Sequence, residues 1–253
     1  MSDNPFSLTG KLIMVTGASS GIGREVAIWL SRQGARLILV ARDPERLEGT
    51  RFELEGPDHS IEIFDFLGEQ DTSAWMKNLA RQTGALDGIV HAAGVQMPMP
   101  IRAMSLDHWE KLFATNVTSG FSLIKAFRQK GVCNRDSSIV LLSSVMAQVG
   151  EPALLGYCAS KGAVEAMVRA AAIELAREGI RVNAVAPGVV KTEMSAKLEG
   201  LVGEGSMNAI EQKHPLGFGT PQDVAYAVNY LLSPAARWVT GTSLVVDGGY
   251  LAS

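Results

Sequence analysis

Apolar residues in this chain fall into short unbroken runs, separated by longer stretches in which they recur every third or fourth position. The runs at 12–15, 37–41, 61–64, 88–91, 138–142, 181–186 and 243–246 are four to six residues long, the length of strands. Between them, 24–33, 72–82, 109–130, 159–177 and 223–232 carry helical periodicity; in the first, Val26, Ala27 and Leu30 share one face. A strand that is apolar throughout needs cover on both faces, which is the condition of a parallel sheet between helix layers. The expected fold class is therefore α/β, a doubly wound sheet of seven mainly parallel strands flanked by helices on both faces. Ligands are expected at the carboxyl ends of the strands.

No polar seam divides the 253 residues, so one domain, 1–253, is expected. The alternation lapses after Gly188, and the stretch of about 189–220 is read as a lid or substrate loop. Hydrophobic residues make up 47% and charged residues 19% of the chain, which excludes global disorder. A net charge of −3 advertises no basic surface for nucleic acid or anionic membrane, and no apolar stretch is long enough to span a bilayer. Cys133 and Cys158 have neither metal-ligand spacing nor a disulfide pattern, and the start is polar, without a secretory signal; a cytoplasmic location is expected. His59, His108 and His214 are scattered, so no metal is expected.

Thr16-Gly17-Ala18-Ser19-Ser20-Gly21-Ile22-Gly23 lies between the first strand and the first helix. Its GxxxGxG spacing permits a tight turn, a close approach to a pyrophosphate, and helix N–H groups facing the anion. Gly17, Ser19, Ser20, Gly21, Ile22 and Gly23 are thus candidate contacts for a dinucleotide in a Rossmann-like fold. The second strand ends in Ala41-Arg42, where an acidic residue would bind a ribose 2′-hydroxyl. Arg42 offers a charge-assisted fork to a 2′-phosphate, which favours NADP (NADPH) over NAD. The other reading makes Arg42 a solvated charge and gives the acidic role to Asp43. Asp65 either bonds to the adenine edge or caps its turn.

Tyr157 and Lys161 stand four residues apart in Tyr157-Cys158-Ala159-Ser160-Lys161, on one face of the predicted helix. A free phenol has a pKa near 10, and the neighbouring ammonium, joined by an oxidised nicotinamide, would favour its phenolate. These segments resemble the short-chain dehydrogenase/reductase family over essentially the whole chain. The resemblance rests on Thr16 through Gly23, Asn116, Ser144, the Tyr157/Lys161 pair, Pro187-Gly188 and Thr192, in that order, with a thirteen-residue step from Ser144 to Tyr157. Asp247-Gly248-Gly249 is similar to the family's C-terminal signature.

The resemblance implies that Tyr157 is general acid or base, that Ser144 bonds the substrate oxygen, and that Lys161 also binds nicotinamide ribose hydroxyls. It implies that Asn116 links Lys161 to solvent through a held water. Ser143 is the alternative to Ser144, and a solvent-facing side chain is the alternative for Asn116. Ala93 and Gly94 would keep the small profile needed beside the cofactor, with Ala92 and Gly94 among its contacts, while Pro187, Gly188, Val190 and Thr192 would border the nicotinamide. Where the family has Asn-Asn-Ala-Gly, this chain has His91-Ala92-Ala93-Gly94. Ala92 cannot tie neighbouring strands as the second asparagine does, and His91 reads as a satisfied half-buried histidine.

The substrate surface is expected from 95–104, 146–155 and the stretch after Val189. Met97, Pro98, Met99, Pro100, Ile101 and Met104, with Leu154, Leu155, Met194 and Leu198, make it apolar, although the methionines equally suit core gaps. A partly apolar small-molecule ketone or secondary alcohol is the expected substrate, with polyols, sugars and steroids open. A narrower option is a 3-oxoacyl-thioester (acyl-carrier-protein) reductase, against which Glu178 stands where a basic docking residue is expected. A non-catalytic NADP-binding structural or regulatory protein is the option from another class. Ala159, Ala163, Ala166 and Ala170 would permit close helix approach, and the resemblance implies a homotetramer, with a dimer as the alternative.

Overall fold

A computed structural model describes residues 4–68, 70–202 and 204–252, and the side chains at 197–199, 201, 202, 204 and 206, Leu198 among them, lie outside the described residues. The strands are β1 (Leu12–Thr16), β2 (Arg36–Ala41), β3 (Ser60–Ile63), β4 (Leu86–His91), β5 (Cys133–Leu142), β6 (Arg181–Pro187) and β7 (Ser243–Val246). They form one sheet in the order β3-β2-β1-β4-β5-β6-β7, and every pairing is parallel. The order reverses direction beside β1, between β1 and β4, which opens a crevice at the carboxyl edge.

Alternate residues of each strand bury against opposite helix layers. Ile13, Val15, Leu37, Leu39 and Val140 face α1 (Gly21–Arg32) and α9 (Pro221–Leu232), which contribute Val26, Leu30, Val224 and Val228. Met14, Ile38, Ile89, Ile139 and Val182 pack with α3 (Thr72–Thr83), α5 (Ser119–Phe127) and α6 (Leu155–Leu175) through Met76, Leu123, Phe127 and Val168. Each such side chain contributes about 1.5–3 kcal/mol when fully buried. At the amino edge, Asp87 accepts from Lys11 Nζ at 3.1 Å, Leu12 N at 2.9 Å and Asn134 Nδ2 at 3.2 Å. One carboxylate thereby pins the starts of three adjacent strands.

Three elements depart from the sequence expectation. The helix expected over 109–130 is α4 (Leu106–Phe113), a π-helical turn (Ala114–Thr118) and α5. The stretch after Gly188 is irregular only toward its ends; between them lie α7 (Glu193–Val202) and α8 (Glu204–Gln212). An unforeseen α2 (Pro44–Phe52) follows β2, with Pro44 in its first turn and the Asp43 carboxylate accepting from Arg46 N at 3.1 Å. Asp43 is therefore a helix cap.

Candidate active site

The carboxyl ends of β1, β2 and β4 surround a cavity of about 1020 Å³. Gly17 sits at φ +68° with its N–H on the Val40 carbonyl at 2.9 Å, and a Cβ there would stand 2.7 Å from Ala93 N. A Cβ on Gly23 would collide with the Gly17 carbonyl oxygen. These two glycines bring the start of α1 against the turn and the β4 loop. Ser20, the N-cap of α1, is extended and makes no side-chain cap bond, so the first-turn N–H groups remain for an anion. Gly17, Ser19, Ser20, Gly21, Ile22 and Gly23 line this cavity, and so do Arg42, Asp65, Ala92, Gly94 and Thr192. Arg42 is exposed at its rim, while Asp65 accepts from Leu67 N at 3.0 Å and caps its turn. An uncapped helix start, a glycine cradle and a guanidinium in one crevice fit a phosphorylated dinucleotide.

A second cavity, of about 590 Å³, adjoins the first at Ile22, Ala92, Gly94, Val95, Thr192 and Met194. Ser144, Tyr157, Lys161, Pro187, Gly188 and Val190 line it. α6 starts two residues before Tyr157, so phenol and ammonium emerge from its first two turns. The Lys161 ammonium lies 5.6 Å from the Tyr157 ring centre and donates to the Leu142 carbonyl at 2.7 Å. Burial lowers the Lys161 pKa to about 8. Burial likewise pushes the Tyr157 phenol up to about 12, against an opposing hydrogen bond from Ser144. In the chain alone, desolvation of the phenolate outweighs the ammonium, which lies over the ring and is bonded to a carbonyl.

The two serines at the end of β5 separate by partner. The Ser143 hydroxyl reaches the Glu165 carboxylate at 3.2 Å, on α6, whereas Ser144 accepts from Met146 N at 3.2 Å and lines the second cavity with Tyr157. Asn116, buried in the π-helical turn, accepts from Val95 N at 2.8 Å and donates to the Val95 carbonyl at 2.9 Å and Ser160 Oγ at 3.1 Å. Its amide is spent on the β4 loop and on the neighbour of Lys161, which excludes the solvent-facing alternative.

His91 is buried and joins β1 to α5. Ser119 Oγ donates to the Thr115 carbonyl, so it accepts from His91 Nε2 at 2.8 Å, leaving Nδ1 to accept from Thr16 Oγ1 at 2.7 Å. The tie that Ala92 cannot make is made one residue earlier. Burial, then the Lys161 charge, lowers the His91 pKa to about 3.

The expected apolar substrate loop needs correction. Pro98, Met146, Leu154 and Met194 line the second cavity, but Met97, Met99, Pro100, Ile101, Met104 and Leu155 do not. Met104 instead packs beneath Gly156, and Ile101 and Leu155 face solvent. The two loops are joined by Met99 N on the Ala153 carbonyl at 2.7 Å.

Sequence reasoning missed Arg46 and Glu193, whose 3.2 Å ion pair links α2 to α7 across the rim of the first cavity. The Asp43-Pro44 cap signal, read as a helix start, would have pointed to Arg46. It also missed Glu151 and Tyr250 in the second cavity, for which no local signal exists, and His214, noted only as a non-ligand. Glu178 is held by Arg128 at 2.8 Å. Among the described residues, no group of His, Cys, Asp or Glu could hold a metal, and no helix is long and apolar enough to cross a membrane.

A family model described as enoyl-(acyl carrier protein) reductase matches residues 17–251. The 3-oxoacyl-[acyl-carrier-protein] reductase of Rickettsia prowazekii is 36% identical over 245 residues, covering 96% of this chain and 98% of that protein. A short-chain type dehydrogenase/reductase from Mycobacterium ulcerans superposes with a TM-score of 0.90 at 31% identity, over 97% of this chain and 91% of that one. A gluconate 5-dehydrogenase from Burkholderia cenocepacia, solved with NADP and tartrate, does so at 0.90 and 28% identity, over 98% of each chain.

Proposed function

We propose a function for this chain from one premise: it belongs to the short-chain dehydrogenase/reductase family and is an NAD(P)-dependent oxidoreductase. It interconverts a carbonyl and a secondary alcohol, with NADP(H) as the preferred cofactor. The observation that carries this reading is the single cavity in which Ser144, Tyr157 and Lys161 face the Pro187, Gly188 and Thr192 wall, continuous with the glycine-turn cavity. A nicotinamide dinucleotide bound there supplies or accepts the hydride.

Tyr157 gives its proton to the carbonyl oxygen during reduction and takes it back during oxidation. The Ser144 hydroxyl fixes that oxygen. Lys161 holds the ribose hydroxyls and, as ammonium, stabilises the phenolate, while Asn116 positions the β4 loop and Ser160 around it. Gly17, Gly21 and Gly23 admit the pyrophosphate to the α1 N–H groups, and Arg42 takes the 2′-phosphate. NADP in the Burkholderia structure supports the same cofactor here. The substrate is a partly apolar ketone or alcohol, the 189–220 stretch covers it, and the protein is cytoplasmic. A homotetramer would cover Phe121 of α5 and Ile173 of α6, both exposed in the single chain.

The Rickettsia relative favours a second reading, reduction of a 3-oxoacyl thioester. The Arg128–Glu178 pair opposes it, because it neutralises charge where a basic docking surface is expected. Retention of Ser144, Tyr157, Lys161 and Asn116 together argues against a non-catalytic protein.

The test compares NADPH and NADH binding by nicotinamide fluorescence, and turnover of ketone and thioester panels by absorbance, in wild type and Tyr157→Phe. NADPH is expected to bind more tightly, and the substitution to lower kcat by about 10²–10⁴-fold while cofactor binding persists. Equal turnover in both proteins would refute the assignment of Tyr157.

A further inference from the structure

We infer that the substrate cavity selects a neutral ketone or alcohol carrying a second hydroxyl, apart from the reacting carbon, and that the Glu151 carboxylate is the acceptor for that hydroxyl. This rests on reading the second cavity as the substrate site. Its walls are largely apolar, from Pro98, Met146, Leu154, Met194, Ala209 and Ile210. Beyond Ser143, Ser144, Tyr157 and Lys161, the polar side chains on these walls are Gln96, whose amide can both donate and accept, and Glu151, Thr192, Ser195, His214 and Tyr250.

His214 is satisfied on both nitrogens. Nδ1 donates to the Ile210 carbonyl at 2.8 Å, which leaves Nε2 to accept from Val189 N at 3.2 Å. Thr192 and Ser195 bond to each other, with Thr192 N on Ser195 Oγ at 2.8 Å and Ser195 N on Thr192 Oγ1 at 3.3 Å. The Tyr250 phenol donates to Glu151 Oε1 at 3.0 Å. Lys213 Nζ donates to the same oxygen at 2.5 Å.

That geometry leaves Glu151 Oε2 without a hydrogen bond from any described residue, although a carboxylate has room for about four. Glu151 is part of the cavity wall and Lys213 is not. The Lys213 hydrogen bond holds the Glu151 carboxyl below the usual carboxylate range, which keeps it an acceptor without a proton to give. An acceptor-only oxygen on an apolar wall rewards a hydroxyl donor and loses its water against a methyl or a second carboxylate, neither of which has a proton to give. The preference therefore runs against sugar acids and toward neutral hydroxylated substrates.

The experiment uses the full chain with excess NADP and linear methyl ketones ending in a methyl, a primary hydroxyl or a carboxylate, at several chain lengths. Binding is read by calorimetry, which needs no turnover. At the best length, the hydroxyl ligand is expected to bind about tenfold tighter than either of the others, the scale of a hydrogen bond to a charged group. Glu151→Gln is expected to bring the hydroxyl and carboxylate ligands within about threefold, since the amide can donate as well as accept. Tyr250→Phe keeps the carboxylate and is expected to keep the order.

Tightest binding by the carboxylate ligand, no difference among the three, or no binding at all would overturn the inference. A preference lost in Tyr250→Phe but kept in Glu151→Gln would do the same, because the phenol would then be the recognising group. Turnover with NADPH is scored separately. Ligands that bind in the stated order without being reduced would remove the carbonyl-reductase reading and leave this recognition standing.

Discussion

His91 is hydrogen-bonded on both ring nitrogens as a neutral imidazole, accepting from Thr16 and donating to Ser119. A second ring proton would meet the Thr16 hydroxyl's own hydrogen, next to the Lys161 charge that helps lower the pKa from 6.5 to about 3. As pH falls, the unfolded chain takes up this proton first, so the stability tied to the neutral ring is complete above about 6.5 and drains away toward 3. From pH 6.5 to 4.5 the loss is about 2 kcal/mol, because the slope reaches its full value of about 1.36 kcal/mol per unit only below the ordinary pKa. Urea unfolding at those two pH values should show wild type losing about 2 kcal/mol more than His91→Gln. Equal losses would place the acid sensitivity elsewhere. At this scale the sequence marked candidates held in order along the chain, Tyr157, Lys161, Ser144 and the glycine turn, and the fold brings them to two adjoining cavities. The sequence hid pairs such as Glu151 and Tyr250, which meet across 99 residues and carry no mutual spacing. Ser144 followed from the resemblance with Ser143 as the alternative, and only the position of Glu165 shows which hydroxyl is bonded to the helix.

The start of α1 depends on contact between two backbones, and the substitution that tests it is Gly23→Ala. The added methyl meets the Gly17 carbonyl and must push the helix away from the turn, while the rest of α1 stays packed on α9. NADPH affinity is expected to fall at least tenfold with the far-ultraviolet circular dichroism unchanged; unaltered affinity would show that this helix start does not hold the phosphates. Periodicity found the elements that bury a full face and missed those that do not. α2, with the sequence PERLEGTRF, buries only Leu47 and Thr50, so its evidence lay in the Asp43-Pro44 cap. α7 and α8 were obscured by Gly200, Gly203 and Gly205, which read as loop. The π-helical turn admits one extra residue without breaking the apolar rhythm, so 109–130 looked continuous.

For the whole molecule, the predicted sheet and its seven strands stand, with all pairings parallel where a mainly parallel arrangement was expected. The long apolar strands had no other way to be covered, whereas the 189–220 stretch and the cavity walls come from segments whose partners are set only by the finished fold. Because one dinucleotide would touch loops after β1, β2, β4 and β6, its binding should stabilise the whole fold. At about 100 times its dissociation constant, NADPH should add about 2.7 kcal/mol, or roughly 5–10 °C in Tm for a chain of this size. NADH at the same concentration should give a smaller rise in a thermal melt, and an equal rise would remove the NADP preference.

Asp87 gathers the starts of β1, β4 and β5, at the end of the sheet away from both cavities. Endurance and reactivity are thus vested in opposite poles of the same strands. The loops that meet substrates are free to diverge, since what keeps the strands in register is fastened where no ligand reaches.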